Sequence, residues 1–179
     1  MKFSDLAVSG CLLIEYDVAN DHRGHFVKTF NRDLFKGTVI ETFALEEEFF
    51  TTSHKDVVRG MHFQTPPYAH NKIVSCVLGS VTDVLLDLRK NSNTYGHWCS
   101  VELNSSEFQA IYVPEGVAHG FVARSDNSVL TYKVDSKYAP NHDFGVAWDS
   151  FAFNWHVEKP IISIRDSNFP SLTNFKSPF

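Results

Sequence analysis

The sequence has few cysteines, no long hydrophobic run and no basic cluster. Among its 179 residues, Cys11, Cys76 and Cys99 show no CxxC spacing, which argues against both a disulfide framework and a thiolate zinc site. No apolar stretch approaches the roughly 18 residues that a membrane-spanning helix needs, and Asp5 precedes any apolar segment of signal-peptide length. We therefore expect a cytoplasmic protein that is neither secreted nor membrane-bound.

Charge and composition exclude further classes of protein. The 16 basic and 21 acidic residues give a net charge of −5, and without a basic run the chain lacks the charge pattern of a nucleic-acid-binding protein. Nine glycines and seven prolines are too few for a collagen-like or disordered chain. We expect one globular domain over residues 1–179, in which an irregular tail after about residue 155, containing Pro160 and Pro170, wraps over the rest.

Short apolar or alternating segments recur between turn-forming residues, and nearly all are too short for helices. Sixteen phenylalanines add bulky side chains suited to a β-sheet core. We predict an all-β protein, an antiparallel sandwich or barrel, with one or two short helices, one of them at Arg32–Lys36 between Asn31 as N-cap and Gly37. The predicted strands are Cys11–Tyr16, Phe26–Phe30, Thr38–Leu45, Val57–Phe63, Lys72–Leu78, Val81–Leu88, Trp98–Leu103, Ala110–Val113, Gly120–Ala123 and Val129–Val134.

Alternation along these strands directs several polar side chains toward the interior. Lys72 shares a face with Val74, and Tyr132 shares a face with Leu130. Asp83 and Asp87 flank Leu85 on one face of their strand. An unpaired buried charge costs several kcal/mol, so these groups must have partners or line a polar cavity. The pattern favours a cavity inside the sandwich.

Two histidines lie in short motifs. Residues Arg59–Gln64 read Arg-Gly-Met-His-Phe-Gln, and Pro114–Phe121 contain the Pro-x-Gly-x-x-His spacing of the rear half of a cupin barrel motif. In metal cupins the front half supplies two histidines one residue apart plus a glutamate, because alternate strand residues share a face. Here Gln64 stands two residues beyond His62, and His70 lies beyond a Pro-Pro turn. We therefore expect no metal site.

Several motifs follow one another along the chain: Asp21-x-Arg23-Gly24-x-Phe26, Val58–Gln64, Pro66-Pro67-x-x-x-x-Lys72, Val81-x-Asp83-Val84-x-x-Asp87-x-Arg89-Lys90, Pro114–Phe121 and Tyr132-Lys133. Together, from about residue 10 to residue 166, they resemble the dTDP-4-dehydrorhamnose 3,5-epimerases, which convert dTDP-4-keto-6-deoxyglucose on the way to dTDP-L-rhamnose. The resemblance implies a metal-free, cupin-type jelly roll that forms a homodimer and needs no cofactor. It implies epimerisation of a nucleoside-diphosphate 4-keto-6-deoxyhexose at C3, C5 or both, in deoxysugar biosynthesis.

The resemblance also implies catalytic roles that fit this chemistry. A hydrogen beside a ketone is acidic because the resulting anion is delocalised onto oxygen. Epimerisation therefore needs a base, a cation near the enolate oxygen and an acid on the opposite face. By resemblance His62 is the base and Asp166 orients it. Lys72 stabilises the enolate, and Tyr132 returns a proton from the other side.

Further positions match substrate-binding residues of the family. Guanidinium groups suit a diphosphate, and Arg165 stands where the family often has lysine. Tyr138 matches an aromatic residue that stacks on the base, and Asp143 stands where the family usually has glutamate. The binding residues that the resemblance implies are Arg23, Phe26, Arg59, Asp83, His119, Tyr138, Asp143 and Arg165.

The chain departs from the family at its nucleotide contacts. Lys28 replaces a glutamate, and Glu47-Glu48-Phe49 replaces a Gln-Asp-Asn stretch, so we predict Lys28, Glu47 and Phe49 as altered contacts to the base. Cytosine presents lone pairs at N3 and O2, for which an ammonium group is a better complement than a carboxylate. The same chemistry on a CDP-linked 4-keto-deoxysugar, as a C5 epimerase, is therefore an alternative.

Two other classes of function remain as hypotheses. A non-catalytic sugar-nucleotide-binding cupin is disfavoured, since a binder does not need His62, Lys72 and Tyr132 directed inward together. A metal-dependent cupin oxygenase or isomerase is disfavoured by Gln64. The partners we predict are a nucleotide sugar and a second copy of the chain, with neither nucleic acid nor a membrane.

Overall fold

The computed structural model describes residues 1–38 and 40–179, which contain thirteen β-strands and four short 3-10 helices. The strands are β1 (Lys2–Asp5), β2 (Leu12–Glu15), β3 (Val18–Asp21), β4 (Gly24–Val27), β5 (Glu47–Ser53), β6 (Val58–Gln64), β7 (Lys72–Leu78), β8 (Ser80–Asp87), β9 (Trp98–Asn104), β10 (Gln109–Val113), β11 (Val117–Ala123), β12 (Ser128–Val134) and β13 (Asp143–Gly145). The helices are Arg32–Phe35, Pro140–His142, Asp166–Asn168 and Leu172–Asn174.

Two antiparallel sheets pack face to face. One has the order β1-β2-β10-β7-β12-β5 and the other the order β13-β6-β11-β8-β9, while β3 and β4 form a separate hairpin. Ile111 and Leu130 of the first sheet share a buried core with Leu85 and Phe121 of the second. This arrangement confirms the predicted all-β, cupin-type jelly roll. In the part of the chain that the structure describes, every helix is a short 3-10 helix.

Local signals predicted a strand and a helical turn accurately in two places. Strand β7 has the predicted bounds, Lys72–Leu78. The predicted helix is a 3-10 helix over Arg32–Phe35, where the Asn31 side chain accepts a hydrogen bond from the Asp33 backbone N–H. Gly37 follows with a φ of +75°, a conformation that glycine adopts without steric cost.

The predicted strand Thr38–Leu45 is wrong. Val39 lies outside the described residues, and residues 38 and 40–45 form turns and irregular chain. Ile40 and Phe43 are nevertheless buried, beside Phe35. These apolar residues are three apart and fill the core from a turn, so their hydrophobicity indicated burial and not an extended backbone.

Irregular chain after Trp155 covers the outer face of the five-stranded sheet. Ile161 forms an isolated parallel bridge with Val57, and the rings of Phe175 and Phe179 pack on Phe63 at centroid distances of 5.2 and 5.7 Å. This tail carries Asp166 into contact with Gly60 and His62 of β6. Within residues 1–38 and 40–179, no helix is long and apolar enough to cross a membrane.

Candidate active site

A cavity of about 380 Å³ is lined by side chains from both sheets. The five-stranded sheet contributes residues of β6 and β11, and the six-stranded sheet contributes residues of β5, β7 and β12. Ten of the residues predicted from the sequence line this one cavity: Glu47, Phe49, Arg59, His62, Lys72, His119, Tyr132, Tyr138, Asp143 and Arg165.

His62 and Asp166 form a hydrogen-bonded pair at the cavity wall. His62 Nε2 lies 2.9 Å from Asp166 Oδ1, and Asp166 Oδ2 accepts a hydrogen bond from the Gly60 backbone N–H at 3.1 Å. Burial opposes ionisation of Asp166, but the hydrogen bonds from His62 and Gly60 outweigh it and hold the pKa of this carboxyl below its ordinary value. The carboxylate thus fixes Nε2 as the protonated ring nitrogen, which leaves Nδ1 free to accept a proton.

Two glycines allow β6 and β11 to approach closely beside this pair. Gly60 has a φ of +134°, and a Cβ there would lie 2.5 Å from Cα of Gly120, so a side chain at this position is excluded. The register pairs His62 with His119 across the strands. Because directly paired residues point to the same face, both imidazoles belong to the cavity wall of the five-stranded sheet.

Tyr132 reaches the cavity from the opposite sheet. Its ring stacks on that of Phe49, its cross-strand partner, at a centroid distance of 4.8 Å, and meets the His119 ring edge-on at 5.9 Å. Only 7% of Tyr132 is exposed, which confirms the inward direction predicted from alternation. Burial, followed by the charge of Asp83, raises the pKa of the phenol, so Tyr132 is a proton donor at neutral pH.

Lys72 is the buried cation of the cavity, and it also points inward as predicted. Its Nζ donates to the backbone carbonyl of His62 at 3.3 Å. Burial lowers the pKa of Lys72 to about 8, against the opposing influence of Asp143 and Asp83. The ammonium form still predominates at pH 7, and it contacts the backbone of His62.

Asp83 does not line the cavity, contrary to its predicted role as a substrate contact. The side chain is fully buried behind His119, whose Nε2 lies 2.9 Å from Asp83 Oδ2. Burial raises the pKa of Asp83, and the contact with His119 partly offsets this effect. Strand β8 lies beside β11 in the same sheet, so the Asp83 carboxylate can fix the orientation of His119 without lining the cavity itself.

Charged and aromatic side chains surround the mouth of the cavity. Arg59 donates from Nε to Ser53 Oγ at 3.1 Å, and Arg165 forms an ion pair with Asp143 at 2.8 Å. Tyr138, which is 60% exposed, is fixed through its backbone N–H, which donates to Glu47 Oε1 at 3.0 Å. The mouth therefore offers two guanidinium groups and an accessible aromatic ring.

Arg23, Phe26 and Lys28 lie away from this cavity within the same chain. They belong to or follow the β3–β4 hairpin, which pairs with neither large sheet. Arg23 forms an exposed ion pair with Asp21 at 2.6 Å, and Phe26 is 67% exposed. Lys28 borders a separate depression. Sequence motifs cannot reveal this separation, because the hairpin's position depends on tertiary contacts.

Several residues in or beside the cavity were not assigned a site role from the sequence, among them two polar residues and an aromatic one. Gln64 and His70 line the cavity, and Phe169 meets the His62 ring edge-on at a centroid distance of 5.7 Å. Their distance along the sequence from a predicted catalytic residue could have indicated two of them. Gln64 is two residues from His62, and His70 is two residues from Lys72, so each shares a face with a predicted catalytic residue.

The arrangement suits proton transfer at a carbon beside a carbonyl group. It combines an oriented imidazole, a buried ammonium and a protonated phenol around one cavity. Within the described chain, no group of three or more His, Cys, Asp or Glu side chains is placed to hold a metal ion.

Comparison with known proteins gives a consistent result. A family model described as dTDP-4-dehydrorhamnose 3,5-epimerase matches residues 5–174. A Shigella flexneri protein of the same description is 37% identical over 88% of each chain. The structure of NovW, a 4-keto-6-deoxy sugar epimerase from the novobiocin gene cluster of Streptomyces spheroides, is 34% identical with a TM-score of 0.92, covering 97% of this chain and 88% of NovW. The dTDP-6-deoxy-D-glucose-3,5-epimerase of Legionella pneumophila, solved with dTDP-4-keto-L-rhamnose, is 28% identical with a TM-score of 0.93, covering 98% of this chain and 94% of its own. The chain therefore belongs to the dTDP-4-dehydrorhamnose 3,5-epimerase family and is an epimerase, an enzyme of the isomerase class.

Proposed function

We propose that this enzyme epimerises a nucleoside-diphosphate 4-keto-6-deoxyhexose at C3, C5 or both, in deoxysugar biosynthesis. The observation that carries the proposal is that the two proton-transfer groups lie on opposite sheets. His62 lies on β6 of one sheet and Tyr132 on β12 of the other, and both line one cavity. A sugar ring between the sheets would meet a base on one face and an acid on the other, as inversion requires.

The reaction then proceeds in two balanced steps. Nδ1 of His62 takes the proton from the carbon beside the ketone, and the electron pair of the broken C–H bond moves onto the carbonyl oxygen. The resulting imidazolium is stabilised by Asp166, which contacts Nε2 at 2.9 Å. Lys72 stabilises the enolate oxygen. The phenol of Tyr132 returns a proton from the opposite face, and solvent restores the protonation states of both groups.

The mouth of the cavity suits the nucleoside diphosphate. Arg59 and Arg165 carry guanidinium groups that can each make two parallel hydrogen bonds to a phosphate. The exposed ring of Tyr138 offers a stacking surface for the base. His119, held by Asp83, adds a further polar contact between the sugar end and the diphosphate end.

The active unit in this proposal is a homodimer, and it accounts for the hairpin residues. Arg23, Phe26 and Lys28 are exposed or remote from the cavity of their own chain, so they could contact a nucleotide only in the cavity of a second copy. Strand β5 supports such pairing, because it is an edge strand and exposes Phe50 by 69%.

Proton NMR in deuterated water tests the reaction. Thymidine- and cytidine-linked 4-keto-6-deoxyhexoses are incubated separately with the enzyme, and the deuterium entering C3 and C5 is recorded. We expect exchange at one or both carbons, with the preferred nucleotide giving the faster rate. Binding of both compounds without exchange would support the non-catalytic alternative, and His62→Ala is the matched control for background exchange.

Calorimetric titration tests the role of Lys28 in reading the base. If a partner's hairpin places Lys28 on cytosine, Lys28→Glu shifts the ratio of CDP to dTDP affinity roughly 10- to 100-fold toward dTDP, the value of one charge-assisted hydrogen bond. Equal ratios in wild type and variant would remove Lys28 from base recognition. Sedimentation of both proteins checks that the oligomeric state is unchanged.

A further inference from the structure

His70 and Lys72 line the cavity from the segment that leads into β7. Asn71 between them is fixed by other partners. Its backbone N–H donates to Asp135 Oδ1 at 2.7 Å, and its side-chain oxygen accepts from the Tyr112 hydroxyl at 2.9 Å. Because successive residues of an extended chain point to opposite faces, this anchor keeps His70 and Lys72 directed inward together.

Gln64 determines which nitrogen of His70 carries the proton. Gln64 Oε1 accepts from the Ala139 backbone N–H at 2.6 Å, which identifies the other end of the amide as the donor. Nε2 of Gln64 then contacts the carbonyls of Tyr68 and Lys137 at 2.9 and 3.1 Å, and Nδ1 of His70 at 2.9 Å. The two N–H bonds of this amide are shared among the three acceptors, and an amide NH2 only donates, so a protonated Nδ1 would face another donor. The proton of His70 therefore lies on Nε2.

His70 is also held neutral. Burial, followed by the charges of Lys72 and His119, lowers the pKa of His70 to about 3. No hydrogen bond joins Nε2 of His70 to any residue in the part of the chain that the structure describes, although the ring lines the cavity. The site therefore contains an oriented neutral donor whose natural partner is a ligand oxygen.

We propose that His70 donates its Nε2–H to the substrate carbonyl oxygen that becomes the enolate oxygen, as a second donor beside Lys72. This inference rests on the proposed function. The hydrogen bond from an oriented donor becomes stronger as negative charge develops on the oxygen. Because the donor is already in position, the site does not have to reorganise when the enolate forms. A neutral donor suits the position, since a second cation would oppose the charge of Lys72. Gln64 is in turn a positioning residue, which acts through His70.

Three variants test the proposal by deuterium exchange into the 4-keto substrate. His70→Leu removes the donor, His70→Gln keeps an amide donor of similar reach, and His70→Asn keeps a shorter one. We expect His70→Leu to lower kcat for exchange about 100-fold, the usual cost of losing one such donor. KM and dTDP affinity should stay within about threefold, and His70→Gln should recover most of the rate whereas His70→Asn should not.

Nitrogen-15 NMR of the wild-type imidazole gives a readout independent of activity. We expect a protonated Nε2 and an unprotonated Nδ1 for His70 from pH 5 to pH 9, as its hydrogen bond from Gln64 requires. An imidazolium signal at pH 6, or a protonated Nδ1, would overturn the proposal. Gln64→Leu should leave the ring neutral but mix the two tautomers, because it removes the donor to Nδ1.

The outcomes separate this inference from the proposed function. Wild-type enzyme that exchanges no deuterium would refute both. Wild-type exchange matched by His70→Leu would refute the role of His70 alone, and so would a raised KM with unchanged kcat, which indicates ground-state binding. If His70→Leu is misfolded and does not bind dTDP, the role of His70 is judged from two other results. These are the rates of His70→Gln and His70→Asn and the tautomer of the wild-type imidazole.

Discussion

Gly145 lies directly opposite His62 in the register of β13 and β6, and the space where its side chain would be is occupied by the ring of Phe169. That ring meets the imidazole of His62 edge-on, at a centroid distance of 5.7 Å and an interplanar angle of 78°. A Cβ at residue 145 would overlap the Phe169 ring. A glycine in a three-residue strand therefore determines how the proposed base is packed.

Gly145→Ala should impair catalysis more than it impairs folding. The added methyl group displaces Phe169 and with it the support of His62, and a shift of about 1 Å in a reacting group can cost roughly 100-fold in rate. We expect kcat for deuterium exchange to fall by about 10- to 100-fold, with dTDP affinity unchanged within about threefold. The double variant Gly145→Ala/Phe169→Ala relieves the overlap, so strictly additive effects of the two changes would contradict this explanation.

His62→Ala should abolish exchange at every carbon, because the proposed base is lost while Lys72 and Tyr132 remain. Nucleotide affinity, measured by calorimetry with dTDP, should stay within several-fold, since the guanidinium groups at the mouth are unaffected. Asp166→Asn is the companion variant. It removes the carboxylate charge that stabilises the imidazolium of His62, so it should lower the rate roughly 100-fold or more. Near wild-type exchange in His62→Ala would assign the base to another group.

Tyr132→Phe should separate exchange from inversion. The phenylalanine keeps the stacking with Phe49 but has no proton to return, so the carbanion formed by His62 is reprotonated from its original side or by water. In deuterated water we expect label to enter the substrate faster than the inverted product appears. Parallel decline of both rates would indicate that Tyr132 only positions the sugar.

The activity should depend on the charge of Lys72. With a pKa of about 8, its ammonium form is present below that pH and is lost as the pH rises through 8. We expect kcat to fall about tenfold per pH unit above this point. Lys72→Arg keeps its charge throughout, so its slower rate should show no such decline from pH 7 to pH 10. The same alkaline decline in the arginine variant would attribute it to a different group.

Much of the fold follows from local patterns. Strand β7 and the inward direction of Lys72 and Tyr132 were predictable, since a short apolar run bounded by turn residues indicates a strand and every second residue of a strand shares a face. Strand β5 was not predicted, because Glu47–Ser53 form an edge strand whose sequence does not alternate cleanly. β13 has three residues and owes its position to pairing with β6. Such strands depend on their neighbours more than on their own residues.

The composition of the site was predictable to a similar extent. Ten of its proposed residues meet in one cavity, which the family resemblance implied and alternation supported for Lys72 and Tyr132. The placement of Arg23, Phe26 and Lys28 could not be derived, because hairpin β3–β4 is located by tertiary contacts and not by its own pattern. The role of Asp83 depended on which strand faces the ligand, a property of sheet order that a single sequence does not encode.

The hydrogen bond between His62 and Asp166 joins residues 104 positions apart, and Asp166 belongs to the tail that covers the outer face of a sheet. Besides an isolated bridge at Ile161 and aromatic packing on Phe63, the tail is attached by scattered hydrogen bonds, such as those accepted by Phe179 and Pro170, and not by a continuous ladder of strand pairing. Since it lacks such a ladder, we expect the tail to detach from the sheets at a lower free energy than global unfolding requires. If Asp166 orients His62 as proposed, we expect activity to be lost on heating at a lower temperature than the β-structure, so that residual sheet content would be a poor measure of how much active enzyme survives.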